Sequence, residues 1–143
     1  MPVPTHLQIE IGGLHFRARM ETALAPATCA AFARLLPFED RLVQTRWSGE
    51  AAWVPMGALE LGIAAENATG HPAPGQILLY PRGVSETEIL FPYGATAFAS
   101  KFGPLEGNHF LTLIEGMDQL PELGRRVLYD GAQPVRFSAM ENG

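Results

Sequence analysis

The feature that most constrains the fold is a series of short, strand-like segments separated by turn residues, with no alternation of strands and helices. In the first segment, Leu7, Ile9 and Ile11 alternate with polar residues, and a pair of glycines follows. This pattern predicts a β-hairpin that returns over residues 14–20. Further strands are expected at residues 41–55, where a turn at 47–50 divides the segment, and at residues 76–80, 86–91, 109–114, 126–129 and 134–138.

Only one segment has the clear periodicity of a helix. Cys29, Phe32 and Leu36 recur at helical spacing after Pro26, and the next residue is a proline that stops the pattern. The sequence predicts one well-defined helix over residues 26–36 and a short one over 117–123. About eight short strands without βαβ units favour a mainly β protein, a closed antiparallel β-barrel. A chain of 143 residues fits a single domain spanning residues 1–143.

Composition and charge exclude several classes of partner. Hydrophobic residues make up 47% of the chain and charged residues 17%, which is typical of a globular protein. A net charge of -5 argues against nucleic-acid binding, which needs a clustered basic face. No apolar run is long enough to span a membrane and no signal peptide is recognisable, so we expect a cytoplasmic protein without a membrane partner. The single cysteine, Cys29, fits a reducing compartment and is predicted to pack in the core.

Three segments of the chain together carry a family resemblance. They are Pro-Ala-Thr-Cys-Ala-Ala-Phe at residues 26–32, residues 98–110 with their Gly-Pro pair, and Glu-Gly-Met-Asp at residues 115–118. In this order they resemble the cyclophilin fold. Through residues 47–50 and 74–83, the chain is more similar still to small bacterial cyclophilin-like proteins of unknown function. The resemblance implies a cyclophilin-like barrel with a ligand groove on one side, and it implies no activity.

The residues that cyclophilins use for proline isomerisation are mostly replaced. Their Phe-His-Arg run and their Phe-Met-x-Gln-Gly-Gly-Asp run are missing, and only Arg46 could stand in for the catalytic arginine. His109 takes the place of the glutamine in their Gly-Ser-Gln-Phe run. The resemblance therefore implies a barrel distinct from the true prolyl isomerases.

Seven residues are candidates for the groove. A cation, a carboxylate and an imidazole close together could hold a carboxylate-bearing ligand or transfer a proton. Lys101 is the only lysine of the chain, which favours a specific role, although a coding bias towards arginine would also leave few lysines. The candidates for catalysis are His109, Glu50 and Arg46, and those for ligand binding are Trp47, Lys101, Asn108 and Glu88.

Two of these candidates have structural alternatives. Trp47 forms either an aromatic wall of the groove or a plug of the core at a hairpin end, and the core plug is the preferred interpretation. Glu86 and Glu88 are expected on the same face of one strand, where they either perform acid/base chemistry or, as we prefer, face solvent. The four histidines are scattered along the chain, so the sequence predicts no metal site and no cofactor.

These observations predict a protein that binds a small molecule or peptide, anionic or amide-like, in a groove on the barrel. The alternative is an enzyme that acts on cyclic amides or related metabolites, with His109 or Glu50 as the proton carrier. A peptidyl-prolyl isomerase ranks third. Because edge strands of small barrels pair between copies, a homodimer is a further candidate.

Overall fold

The computed structural model describes residues 3–140, which form eleven strands and two helices. The first half contains β1 (His6–Ile11), β2 (Leu14–Met20), α1 (Pro26–Ala33), β3 (Phe38–Gln44), β4 (Gly49–Pro55) and β5 (Ala68–Thr69). The second half contains β6 (Gln76–Tyr80), β7 (Glu88–Thr96), β8 (Ala99–Ser100), β9 (Gly103–Pro104), β10 (Gly107–Glu115), α2 (Leu120–Arg125) and β11 (Gln133–Ala139).

Eight of the strands close into an antiparallel barrel. Their order is β2-β1-β11-β3-β4-β7-β6-β10, and the pairing of β10 with β2 closes the ring. The short β5 adds to β10 as an extra strand, and β8 and β9 form a separate small hairpin. Closure leaves no free edge among the eight barrel strands, which satisfies their backbone hydrogen bonds. The predicted fold class, a mainly β closed barrel of about eight strands, is confirmed.

The inward-facing residues of the barrel and helix α1 form the main core. Leu7, Ile9 and Ile11 are fully buried, as the alternation in the sequence predicts. From α1, Phe32 enters the barrel and packs edge-to-face on Phe110 with ring centres 5.2 Å apart. Cys29, on the same helix, is also buried, and burial raises the pKa of its thiol to about 12. The prediction of a core cysteine is confirmed, and α1 closes the barrel interior.

A second, smaller core lies on the outside of the barrel. Residues of β4, β6 and β7 that point outward are covered by the segment 97–106, which contains the β8–β9 hairpin. The buried members of this outer core are Ala51, Leu78, Tyr80, Leu90, Phe98 and Leu105. Part of the outer face of the sheet is therefore shielded from water. A cleft can form at the border between the covered and the uncovered part of this face.

The structure corrects three of the predicted element bounds. Helix α1 ends at Ala33 instead of residue 36, and β7 begins at Glu88 instead of residue 86. The strand predicted at residues 126–129 is wrong, because α2 continues there into a π-helical turn over Arg126–Asp130. Val127 is the single buried residue of this turn, and one buried position is compatible with a helical pattern as well as with an alternating one. Within residues 3–140, no helix is long and apolar enough to cross a membrane.

Candidate functional site

A cleft with a volume of about 760 Å³ opens at the edge of the outer core. Its walls are aromatic: Trp47 and Trp53 meet edge-to-face, with ring centres 5.6 Å apart and ring planes at 83°. Trp47 is 55% exposed, so it is not the core plug that we preferred from the sequence. We call this the Trp cleft, and define it by Trp47, Trp53, Val84, Glu88, Lys101 and Phe102.

The register of the sheet places an acid at the floor of the Trp cleft. Trp53 of β4 pairs with Leu90 of β7, so both side chains and that of Glu88, two residues earlier, point to the outer face. Glu88 is nevertheless only 4% exposed. The expectation of a solvent-facing Glu88 is therefore wrong.

The environment of Glu88 favours its neutral form. Burial raises the pKa of Glu88 to about 8, and the charge of Glu86 adds to this effect. Among the described residues, no hydrogen-bond donor to the Glu88 carboxyl counteracts the shift. The shift favours the protonated carboxyl, which offers one hydroxyl donor and one carbonyl acceptor to the cleft.

Two cations stand at the rim of the Trp cleft, and they differ in their availability. Arg82 forms an ion pair with Glu60, so its charge is already compensated. Lys101 takes part in none of the ion pairs found within residues 3–140, and its Nζ lies 5.2 Å from the ring centre of Phe102. The unpaired cation at this rim is therefore the only lysine of the chain.

The turn between β3 and β4 fixes Trp47 relative to Lys101. Ser48, at the centre of this turn, donates its hydroxyl to the carbonyl oxygen of Ala99 and accepts the amide of Ala99, each at 3.2 Å. Its own carbonyl oxygen accepts the amide of Ala97 at 2.9 Å. These three bonds attach the turn that carries Trp47 to the segment that leads into Lys101, so both walls of the cleft are held together.

A second cleft, with a volume of about 650 Å³, lies on the other side of the same turn. Arg46 and Glu50 line it together with Tyr93, residues of α2, and Leu128 and Tyr129 of the π-helical turn. Glu50 accepts the backbone amide of Ala95 at 3.0 Å. Adjacent residues of one turn, Arg46 and Trp47, thus line different clefts, and we call this second one the Arg46 cleft.

Asn108 is buried and holds other segments in place. Its amide nitrogen donates to the hydroxyl of Thr28 and to the carbonyl oxygen of Ala64, each at 3.0 Å. Its side-chain oxygen accepts the backbone amide of Glu66 at 3.1 Å. The Glu66 carboxylate in turn accepts the amide and the hydroxyl of Thr28, both at 2.7 Å, in the first turn of α1. Asn108 therefore joins the loop before β5 to the N-terminus of this helix.

His109 belongs to a polar chain on the barrel surface. Its Nε2 lies 2.7 Å from the hydroxyl of Thr112, which donates to Glu21 at 2.6 Å. Because the Thr112 proton is used on Glu21, Nε2 of His109 must be the donor. Burial lowers the pKa of His109, although the charge of Glu21 opposes this shift. Burial alone would raise the pKa of Glu21, but hydrogen bonds from Thr112 and Arg19 outweigh it and leave that pKa lowered.

A match between the sequence and a family model shows to which family the chain belongs. Residues 7–139 match the model of a family described as "Protein of unknown function (DUF3830)". The chain belongs to this family. No curated protein matches it significantly.

Solved structures with the same fold extend the comparison beyond the DUF3830 family model. The structure of McbB in complex with tryptophan has a TM-score of 0.71 and 15% identity, and the match covers 96% of this chain and 45% of McbB. The solution structure of the hypothetical protein AF2241 from Archaeoglobus fulgidus has a TM-score of 0.60 and 16% identity, with 98% of both chains covered. These identities show a shared fold. The DUF3830 chain spans less than half the length of McbB.

In this DUF3830 barrel the seven predicted site residues do not line one groove. Trp47, Glu88 and Lys101 meet in the Trp cleft, whereas Arg46 and Glu50 share the Arg46 cleft. The remaining two residues, Asn108 and His109, take part in the buried network and in the surface chain described above. No cluster of three or more metal-ligating side chains occurs in the part of the chain that the structure describes.

Sequence reasoning missed three residues of the Trp cleft in this family member. Trp53 could have been found, because it is two residues from Ala51 on an alternating strand and therefore shares the outer face. Val84 and Phe102 belong to loops, and they remain 63% and 66% exposed. Exposed apolar residues in loops carry no periodic pattern, so their position beside the cleft becomes visible only in the folded chain.

Proposed function

We propose that this protein binds a small amide-bearing molecule in the Trp cleft. The observation that carries the proposal is the buried Glu88 carboxyl at the floor of a cleft whose walls are two tryptophans. Ligand pockets commonly combine apolar or aromatic walls with a few polar groups that fix the orientation of the ligand. The Trp cleft has this composition.

The chemistry of Glu88 favours an amide over a carboxylic acid as the group at the floor. A protonated carboxyl presents a donor and an acceptor side by side, and a cyclic amide presents the complementary acceptor and donor on one edge. A ligand carboxylate at the same point would find a buried acid whose ionised form repels it. The planar amide would stack against the indole rings, which supply most of the apolar contact.

Lys101 supports an additional polar group on the same ligand. Its ammonium is unpaired among the described residues and stands at the rim, within the same cleft as Glu88. It can donate to a second carbonyl or to a carboxylate that remains near solvent. The anionic and amide-like ligands expected from the sequence are therefore compatible if the amide lies at the floor and the anion at the rim.

We also propose that the barrel is of the cyclophilin type and that the protein is cytoplasmic. The first proposal is supported by the order of the motifs at residues 26–32, 98–110 and 115–118 around a closed eight-strand barrel with a cleft on its outer face. The second is supported by a single, buried cysteine.

A second candidate function is the hydrolysis of a cyclic amide in the same cleft. The observation that favours it is again Glu88: as water adds to the amide carbonyl carbon and the C–N bond breaks, a carboxyl with a raised pKa can give its proton to the leaving nitrogen and regain one from that water. His109 and Glu50 lie outside the Trp cleft, so Glu88 replaces them as the proton carrier in this proposal. Proline isomerisation is not proposed, because the stand-in residue Arg46 lines the other cleft.

Intrinsic fluorescence provides the test, because both tryptophans of the chain line the cleft. We expect 2-pyrrolidinone and glutarimide to change the emission saturably and benzoate to have a weaker effect. Glu88→Gln keeps a donor and an acceptor and should keep binding, whereas Glu88→Leu should weaken it by about tenfold or more. Glu106→Gln, which changes an exposed glutamate outside the Trp cleft, is the matched control and should bind like the wild type. Equal affinity of the Glu88→Leu variant and the wild type would refute the proposal.

A further inference from the structure

The Arg46 cleft is a second site with its own charges, separate from the Trp cleft. It lies between the β3–β4 turn and the π-helical turn after α2. A cation and a carboxylate face it without being paired with each other: no contact between Arg46 and Glu50 occurs among the ion pairs of residues 3–140. Unpaired opposite charges in one cleft can each take a partner from a ligand.

Two glycines position the acceptor and the phenol of this cleft. The Glu50 side chain lies flat over Gly94, where a methyl group would come within 2.6 Å of its carboxylate oxygen. The Tyr93 ring packs directly on the backbone of Gly124, which leaves no space for a side chain there. The Tyr93 hydroxyl donates to Gln44 at 2.8 Å, so the ring is held at both ends. Both groups are therefore preorganised for a ligand.

The neighbouring Arg125 differs from Arg46 because its guanidinium is already paired with acidic side chains. Arg125 forms two hydrogen bonds to Glu122, at 3.0 and 2.9 Å, and a longer contact to Asp130 at 3.4 Å. This leaves Arg46 as the guanidinium that is free to bind an anion within the described lining of the cleft. At the mouth, Tyr129 is 77% exposed and Leu128 lies beside it, which adds apolar surface.

We propose that the Arg46 cleft binds a free α-amino acid with an apolar or aromatic side chain. The α-carboxylate lies on the Arg46 guanidinium, the α-ammonium lies on the Glu50 carboxylate, and the side chain packs against Tyr93 and Tyr129. A simple anion is disfavoured by the charge of Glu50, and a simple cation by that of Arg46. A zwitterion satisfies both charges at once, because its two groups are joined through one carbon atom.

Isothermal titration calorimetry with L-phenylalanine tests this site, with 3-phenylpropionate and phenethylamine as probes that carry only one of the two charges. We expect saturable binding of phenylalanine. The affinity for either single-charge probe should be lower by about tenfold or more. Arg46→Gln and Glu50→Gln should each reduce the affinity for phenylalanine by about tenfold, since each removes one charged partner. Arg34→Gln, which changes an exposed arginine outside both clefts, is the control and should have no effect.

The two sites can fail independently. Phenylalanine should bind the Glu88→Leu variant with unchanged affinity, because Glu88 lies in the Trp cleft. Phenylalanine binding that is lost in Glu88→Leu but kept in Arg46→Gln would assign the ligand to the Trp cleft and overturn the proposal. No saturable heat with phenylalanine, or equal affinity for 3-phenylpropionate, would also overturn it.

Discussion

At the scale of single residues, burial decides which side chains can do chemistry. Glu88 and Glu86 are two positions apart, yet Glu88 is buried, which raises its pKa, whereas Glu86 is only half-buried. Cys29 shows the opposite outcome, because a thiol with a pKa of about 12 inside the main core is inert as a nucleophile. The same physical effect, loss of hydration, thus creates a proton donor at one site and removes a nucleophile at another.

The raised pKa of Glu88 predicts a specific dependence of stability on pH. The folded state holds the Glu88 proton up to a pH of about 8, whereas the unfolded chain releases it near its ordinary pKa of 4.5. The contribution of Glu88 to stability is therefore complete below pH 4.5 and is lost as the pH rises to 8, by at most about 1.4 kcal/mol per pH unit.

Denaturant unfolding of the wild type and of Glu88→Gln at several pH values measures this effect. The variant should gain stability relative to the wild type between pH 5 and 8, because it has no proton to lose. The difference between the two proteins isolates Glu88 from the other carboxylates. If the two stability curves run parallel across this range, Glu88 is not a neutral acid in the folded protein.

At the scale of elements, the β3–β4 turn is the part that organises both clefts. Ser48 connects it to Ala99 of β8, and Gly49 brings it close to β7, where a methyl group would lie 2.8 Å from the carbonyl oxygen of Ala95. Gly49 has a φ of +108°, a conformation that other residues rarely adopt. The turn therefore presents Trp47 on one side and Arg46 on the other with little freedom to move.

Removal of the Ser48 hydroxyl should loosen this arrangement. Ser48→Ala leaves the amide and carbonyl groups of Ala99 without their side-chain partner, which should cost about 1–3 kcal/mol of unfolding free energy. We also expect the two tryptophans to separate, with a change in their emission and in acrylamide quenching. Ser138→Ala, on β11 and outside both clefts, is the control. Unchanged emission together with wild-type stability of Ser48→Ala would contradict the assigned role of this turn.

At the scale of the whole molecule, the barrel has cores on both sides of its wall. The β1–β2 hairpin and helix α1 could be predicted from sequence, because local alternation and helical spacing record which residues face the interior. The burial of Glu88 could not be predicted, because Glu88 lies on an outer face that an antiparallel sheet often leaves to solvent, and here residues 97–106 cover part of that face. Long-range cover leaves no periodic pattern at the covered position.

The candidate site, like the fold, could be predicted only in part from the sequence. The positions of Trp47 and Lys101 in one cleft follow the resemblance on which they were chosen, and the structure brings these two together. The separation of Arg46 from Trp47 was not predictable, since adjacent residues in a turn point in directions that only the tertiary contacts of Ser48 determine. A groove inferred from sequence therefore became two clefts that share one turn.

The central claim is that the Trp cleft binds an amide through the neutral form of Glu88, and the pH dependence of binding tests it most directly. The affinity for glutarimide, followed by tryptophan emission, should be constant at pH 6–7 and should fall as the pH rises through about 8, the pKa of Glu88. The Glu88→Gln variant should bind with an affinity that does not change over this range. A wild-type affinity that stays constant to pH 9, or a variant that loses affinity in parallel, would contradict the account.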